Sequence, residues 1–411
     1  MKQVECHKIP RMAMTKRHPV QRPLSLAAHQ RKRWDQYVAD SAKRDTFQKE
    51  INMDHESFMK LLSWIRPALI RNIRQFPRGP LIPENRLYAV LCFLTGESQA
   101  KIFYRFRWWG ISDSSFYKIV FSTMDAINEV PALAMKFPTT EEECLQIARE
   151  FQNLSEDAID TCVCAIDGYM IEIEEPEDDE DDGDDDESFD GDDFWSPSYG
   201  AYGINIQAAC DHLSRFLFLG MGGPGSRHDD EALVECPLGD LIEKLPGNYC
   251  AIADCGYLPT EHVIPEFGRD EGADDAKGNF TYYADKCRMR IENAFGLMLK
   301  SWPILLDCPF EPKEVWRLLE CIGRLHNFCI DERISKDLPP GTDDAHKHIC
   351  CGAETVRWMH ADERFDNFYR KYRHLLKSRN RDRLVARIAS KGLEPSGPFD
   401  DDWKGSTVSL D

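Results

Sequence analysis

Asp167 in TCVCAIDGYMIEIE, Asp254 in NYCAIADCGYLP and Glu292 in DKCRMRIENAFGLMLKSWPIL are the residues whose types and settings offer chemistry. The first two follow short apolar runs and the third lies in a helical pattern. Two strands and one neighbouring helix can bring three such distant acids around a pair of divalent ions, which is what a two-metal nuclease needs. An acid after an apolar run is by itself an ordinary solvated turn residue, so the weight falls on the combination.

The elements that must position these acids are readable around them. CVCAIDGYMIEI has apolar residues on both faces, which predicts a central strand covered on each side. Asp167 is then a buried-strand acid beside Gly168, a costly charge unless a cation and its water supply the counter-charge. GINIQAACDHLSRFLFLGMGG predicts a hairpin turning at Asp211 to Ser214. GDLIEKLP closes a helix, and NYCAIAD is a short strand ending at Asp254. In the last segment Ile291, Phe295, Met298 and Trp302 form an apolar stripe, with Arg288 and Glu292 one turn apart on the same side. That pair has two readings: a helix-surface ion pair, or a metal ligand at Glu292 with Arg288 or Arg290 against a DNA phosphate. In GSRHDD, Arg227 and His228 are candidates to position a phosphate. The same stretch also reads as a polar loop capping DDEALVE.

The surrounding stretches, in order, are FPTTEEECLQIAREF, CAIDGYMIEIEEP, INIQAACD, GGPGSRHDDEAL, IADCGYL, RMRIENAFGLMLKSWPIL and LHNFCI. This ordered set resembles the DDE superfamily endonuclease domain (transposase DDE type-4) of Harbinger-type transposases and their domesticated relatives, over about residues 55 to 332. The resemblance implies an α/β, ribonuclease H-like mixed sheet flanked by helices and preceded by an all-α, helix-turn-helix-like region. It implies a metal-dependent DNA endonuclease in which Asp167 bridges two Mg²⁺ or Mn²⁺ ions, Asp254 binds one and Glu292 the other, with Asp229 a further ligand. The R-x-x-x-E context favours Glu292 as that third ligand. A separate Myb-like DNA-binding protein is an implied partner, and a nuclear location follows. The alternative is a domesticated, catalytically silent module that binds nucleic acid or protein. An unrelated ribonuclease H-like phosphohydrolase acting on RNA is a third reading, distinguished by cleavage of RNA and not DNA. One departure stands out: SPSYGAYGINIQ, between the first acid and INIQ, carries no Lys or Arg, where many members have a basic or aromatic stretch.

Composition organises the rest. The formal net charge is −20. Residues 172 to 193 hold sixteen Asp or Glu and no Lys or Arg, so the remaining chain is near −4. Placed just after the first catalytic strand, this run reads as an insertion that mimics DNA, docks a basic partner, or is merely solvated. Basic residues cluster elsewhere, with twelve against five acids in residues 1 to 50 and nine against one from Arg370 to Lys391. The expected organisation is a basic flexible arm (1–53), a helical, helix-turn-helix-like region (54–135), the nuclease domain with its acidic insertion (136–332) and a basic helical tail (333–411). In the second region ISDSSFYKIV resembles a recognition helix, with Ser112 or Asp113 as N-cap and Ser114, Ser115, Tyr117 and Lys118 at its groove-facing end. The other reading is a helical cap packed on the nuclease. The tail's arginines are expected to bind DNA flanks, match the acidic run in cis or serve nuclear import.

No run of 18 apolar residues and no apolar leader is present, which predicts an intracellular protein without a membrane span. Fifteen cysteines, an odd number set largely in apolar runs, read as reduced, buried thiols. HKHICC offers zinc-type ligands without the paired spacing of structural sites.

Overall fold

The computed structural model describes residues 34–44, 46–71, 81–106, 111–176, 191–197, 199–268, 275–336 and 378–395. Helices come first: α1 (Trp34–Arg44), α2 (Phe47–Ile51), α3 (His55–Arg71), α4 (Pro83–Leu94), α5 (Gln99–Phe106), α6 (Asp113–Asn128) and α7 (Glu141–Leu154). Local sequence sets their ends. Pro83 opens α4, where its missing N–H costs nothing, and Gly96 at φ +85 turns the chain out of it. Ser112 caps α6, its hydroxyl accepting from the Ser115 N–H at 3.2 Å. Thr140 and Glu143 close a reciprocal capping box at the start of α7.

The sheet is mixed. β1 (Cys162–Glu172) pairs antiparallel with β3 (Ala201–Cys210), and β3 with β4 (Phe216–Pro224). β2 (Trp195–Ser196) adds a short antiparallel pair at the start of β3. On the other side of β1 lie β5 (Cys250–Ala253) and β6 (Val263–Pro265), both parallel to it. The path across the sheet is therefore β4-β3-β1-β5-β6, with α8 (Asp229–Glu235) and α9 (Pro237–Glu243) between β4 and β5 in sequence. The β3–β4 turn is fixed by one carboxylate. Asp211 accepts from the Leu213 and Arg215 N–H groups at 2.9 and 3.0 Å and pairs with the Arg215 guanidinium, while Ser214 takes φ +62.

Strand alternation splits the core into faces. Ala165 and Ile171 of β1 and Ile204, Ile206 and Ala208 of β3 join one cluster with α10 (Asp275–Ser301) and α11 (Pro312–Ser335). The same cluster runs without a break through α1 to α6, from Tyr37 to Phe328. Cys164, Ile166, Ala209, Ala251 and Ala253 face the other way, toward α7, α8 and α9. A third cluster joins Ile252 and Ile264 to Phe280, Tyr283 and Cys287 of α10 and to Leu384 and Ile388 of α12 (Arg379–Lys391).

The stretch expected to read DNA through α6 is largely committed to packing. Arg86 is fully buried, donating to the Leu69 carbonyl at 2.9 Å and to Ser122 Oγ at 2.8 Å. Arg105 pairs with Glu97 and Glu50. Tyr117 packs among Phe93, Phe116 and Phe310. Lys101, Ser114 and Lys118 are exposed, whereas Arg107 lies outside the described residues. The basic tail behaves similarly where it is described. Arg383 and Arg387 of α12 reach Asp160 at 3.2 and 3.0 Å, and Lys391 pairs with Asp157. The charges of these three residues are thus paired within the molecule. Residues 177–190 of the acidic run, and HKHICC, lie outside the described residues. The twelve described cysteines are free thiols, ten of them buried. No described helix is long and apolar enough to cross a membrane.

Candidate active site

Register assembles the acids. β1 and β5 run parallel with Ala165 opposite Ile252, so Asp167 and Asp254, each two residues further on, emerge side by side. β5 and β6 run parallel with Ala253 opposite Pro265, which sets Glu266 beside Asp254 in the same way. By alternation all three carboxylates belong to the face on which α10 packs. That helix buries Ile291, Phe295 and Met298 and thereby presents Arg288 and Glu292 beneath the row.

Burial and mutual repulsion dominate the electrostatics. Burial, then the charges of Asp254 and Asp229, push the Asp167 carboxyl well above the usual carboxylate range, with Arg288 opposing. Asp167 Oδ1 accepts the Gly168 N–H at 2.9 Å, and Asp254 Oδ1 accepts the Gly256 N–H at 2.8 Å. Glu266 is raised to about 8 by burial despite its bond to Arg288. The guanidinium of Arg288 donates Nε to Glu266 at 2.9 Å, Nη2 to Asp285 at 2.7 Å and Nη1 to Glu292. Burial alone would lower Arg288, but Glu266, Glu292 and Asp285 together hold it well above its ordinary value.

Asp229 reaches the site from the opposite face of β1. Gly168 makes room for it, since a Cβ there would stand 1.9 Å from Asp229 Oδ1 and 2.7 Å from Gln207 Nε2. Asn205 and Gln207 donate to Asp229 Oδ1 at 3.0 and 3.2 Å. The buried Tyr257 phenol donates to Gln207 Oε1 at 2.8 Å, which fixes the amide so that its nitrogen faces Asp229. Burial lifts Asp229 to about 6, with these two amide donors opposing and Asp254 adding. Tyr199, before β3, is raised to about 12 by burial and then by Asp229 and Asp167, yet 45% of the residue is exposed. An aromatic face therefore flanks the carboxylates.

Of the residues singled out from sequence, Asp167, Asp254, Asp229, Glu292 and Arg288 come together. Arg227 is a neighbour, its carbonyl accepting from Asn205 at 3.2 Å while its guanidinium pairs with Glu235 at 3.0 Å. Arg290 is half-buried on another side of α10, where its charge acts on Cys210 and His212. Lys118 is exposed on α6. Arg288, considered for a DNA phosphate, is instead enclosed by three carboxylates. Glu266, Gln207, Asn205, Tyr257 and Tyr199 were not singled out. Only Glu266 carries a sequence signal, the parallel between IAD and IPE at two strand ends.

The donor set is carboxylate oxygen, buried and in excess negative charge, which fits a hard divalent cation in ligand type and sign. As the side chains stand, no three His, Cys, Asp or Glu among the described residues converge closely enough to hold one ion together. A groove of about 990 Å³ lies elsewhere, between Asn248, Glu261 and the start of α12. It is lined by the packing partners of that helix and holds none of these acids.

Residues 166–327 match the family described as DDE superfamily endonuclease. The matched span opens one residue before Asp167 and takes in Asp229, Asp254 and Glu292, while α1 to α7 lie outside it. The likeness suggests a transposase-derived, nuclease-type hydrolase, a class that acts on DNA and generally uses divalent metals. No curated protein and no solved structure matches the chain.

Proposed function

We propose that the protein is a metal-dependent DNA endonuclease of Harbinger-type transposase origin, built on a ribonuclease H-like fold. The observation that carries this is the juxtaposition of Asp167, within β1, and Asp254, just past the end of the neighbouring β5, with Glu292 on the helix packed against them. The strand order, three antiparallel strands followed by two parallel ones, supports the fold.

In this reading Asp167, Asp254 and Glu292 hold two divalent ions, Mg²⁺ or Mn²⁺, with Asp229 close by. Bound there, the ions would lower the pKa of the attacking water or 3′-hydroxyl and neutralise the leaving oxygen. The chain's own contribution is positioning. Backbone N–H groups orient one oxygen each of Asp167 and Asp254. Asn205 and Gln207, the latter fixed by Tyr257, hold Asp229 by one oxygen. Tyr199 offers a surface on which a base can stack beside the scissile phosphate. No side-chain base is required. DNA is the substrate, a separate Myb-like protein supplies sequence recognition, and the place of work is the nucleus.

A second reading, a silent binding module, is favoured by one observation: Arg288 occupies the carboxylate of Glu292. Nicking of supercoiled plasmid by the purified chain in Mn²⁺ or Mg²⁺, with a chelator control and Asp254→Ala, separates the two. Nicking lost in both controls supports the nuclease. Nicking that survives Asp254→Ala, or none under any divalent ion, supports the silent module.

A further inference from the structure

Arg288 is the one positive group described within the carboxylate cluster, and it is shared. Its planar guanidinium has donors fixed in a rigid fork, so a bond made on one side constrains those made on the others. Nε is given to Glu266 at 2.9 Å, Nη2 to Asp285 at 2.7 Å and Nη1 to Glu292. Glu266 is 8% exposed and sits where β6 ends, one strand over from Asp254. Three carboxylates thus compete for a single charge. Whatever weakens two of the bonds strengthens the third, because a charge-assisted pair in a desolvated setting gains from every contact its partner gives up elsewhere.

We propose that Glu266 is a positioning residue which, by holding Arg288, sets how readily Glu292 is released to a divalent cation beside Asp167 and Asp254. This rests on the reading of those acids as cation ligands. In the described arrangement Glu292 is held by Arg288, and no three acids among the described residues converge on one point. Release requires the guanidinium to stay with Glu266 and Asp285 while Glu292 turns away. Remove Glu266, and Arg288 commits to Glu292 and withholds it.

The test is Mn²⁺ binding to the full chain, read from the electron paramagnetic resonance signal of free Mn²⁺, which needs no DNA and no turnover. Glu266→Gln is expected to weaken Mn²⁺ binding about tenfold, and Asp285→Asn less, since Asp285 is more exposed. The double variant Glu266→Gln with Arg288→Gln is expected to return to within about threefold of the parent, because no guanidinium then competes for Glu292. Structural damage would make the two substitutions add rather than cancel. Parental affinity in Glu266→Gln, or a double variant weaker than the single, overturns the inference. Should Glu266→Gln not fold, Asp285→Asn decides in its place, and an unchanged affinity there overturns it equally. If the parent binds no Mn²⁺, or Asp254→Asn binds it as well as the parent, the cation-site reading falls and the inference with it. Loss in Asp254→Asn without loss in Glu266→Gln overturns the inference alone.

Discussion

Asp229 owes its place to a missing atom. Gly168 lies where any Cβ would overlap Asp229 Oδ1 and crowd Gln207 Nε2, so a methyl there has to displace the acid or the strand. Gly168→Ala is expected to cost about 2 kcal/mol of stability by denaturant titration and to lower plasmid nicking more than tenfold by displacing Asp229. Asp229 also makes stability depend on pH. Its folded value of about 6 lies above the ordinary 3.8, so the folded chain binds the proton more tightly. Its contribution is therefore most favourable below pH 4 and is lost as pH rises toward 6. In buffer free of divalent ions, Asp229→Asn is expected to be more stable than the parent at pH 7, with the difference shrinking to nothing near pH 4. Thermal melting across that range checks it, and a difference that grows toward low pH would contradict the assignment. Asp167 and Asp254 stand out in the sequence because each ends an apolar run, and Glu292 because it lies beside a helical apolar stripe. Gly168 as a clearance, and Tyr257 and Gln207 as supports, do not, because their roles arise from β1 and β3 pairing side by side.

At the scale of elements, α10 and α12 show where sequence reading succeeds and where it stops. The stripe of Ile291, Phe295, Met298 and Trp302 is buried as its spacing indicates, which fixes the side on which Arg288 and Glu292 emerge. Earlier in the same helix, Phe280, Tyr283 and Cys287 continue that face and feed the third cluster, closed by Leu384 and Ile388 of α12. Nothing local distinguishes that basic helix from a DNA-binding one. Its partners, Asp157 and Asp160, lie more than two hundred residues away, beyond the reach of any pattern along the chain. Leu384→Ala is expected to destabilise by about 3 kcal/mol, as for a fully buried leucine, whereas Asp160→Ala should cost under about 1 kcal/mol because the ion pairs are partly solvated. Equal losses in chemical denaturation would mean that charge rather than packing docks the helix. β6 is three residues long and contains a proline, too little for a strand to be recognised, which is why Glu266 went unnoticed.

Across the whole molecule, one apolar cluster joins the helices ahead of the sheet to α10 and α11 behind it. The boundary expected near residue 135 separates a helical region from the nuclease domain, and patterning along the chain does not report which faces later meet. Helices α1 to α6 and the sheet are accordingly expected to unfold together. Far-ultraviolet dichroism and tryptophan fluorescence should give coincident melting curves, and two separated transitions would contradict the shared core. The acidic balance of −20 is no obstacle to a nucleic-acid substrate, because so much of it is concentrated in one run of 22 residues.

The central claim is that acids from β1, β5 and α10 act as one unit. The most direct test is Mn²⁺-dependent plasmid nicking by Asp167→Asn, Asp254→Asn, Glu292→Gln and the double Asp167→Asn with Asp254→Asn. If they form one site, each single substitution removes nearly all activity and the double is no worse than either single. Partial losses that multiply in the double variant, or a Glu292→Gln protein that nicks as fast as the parent, would contradict it.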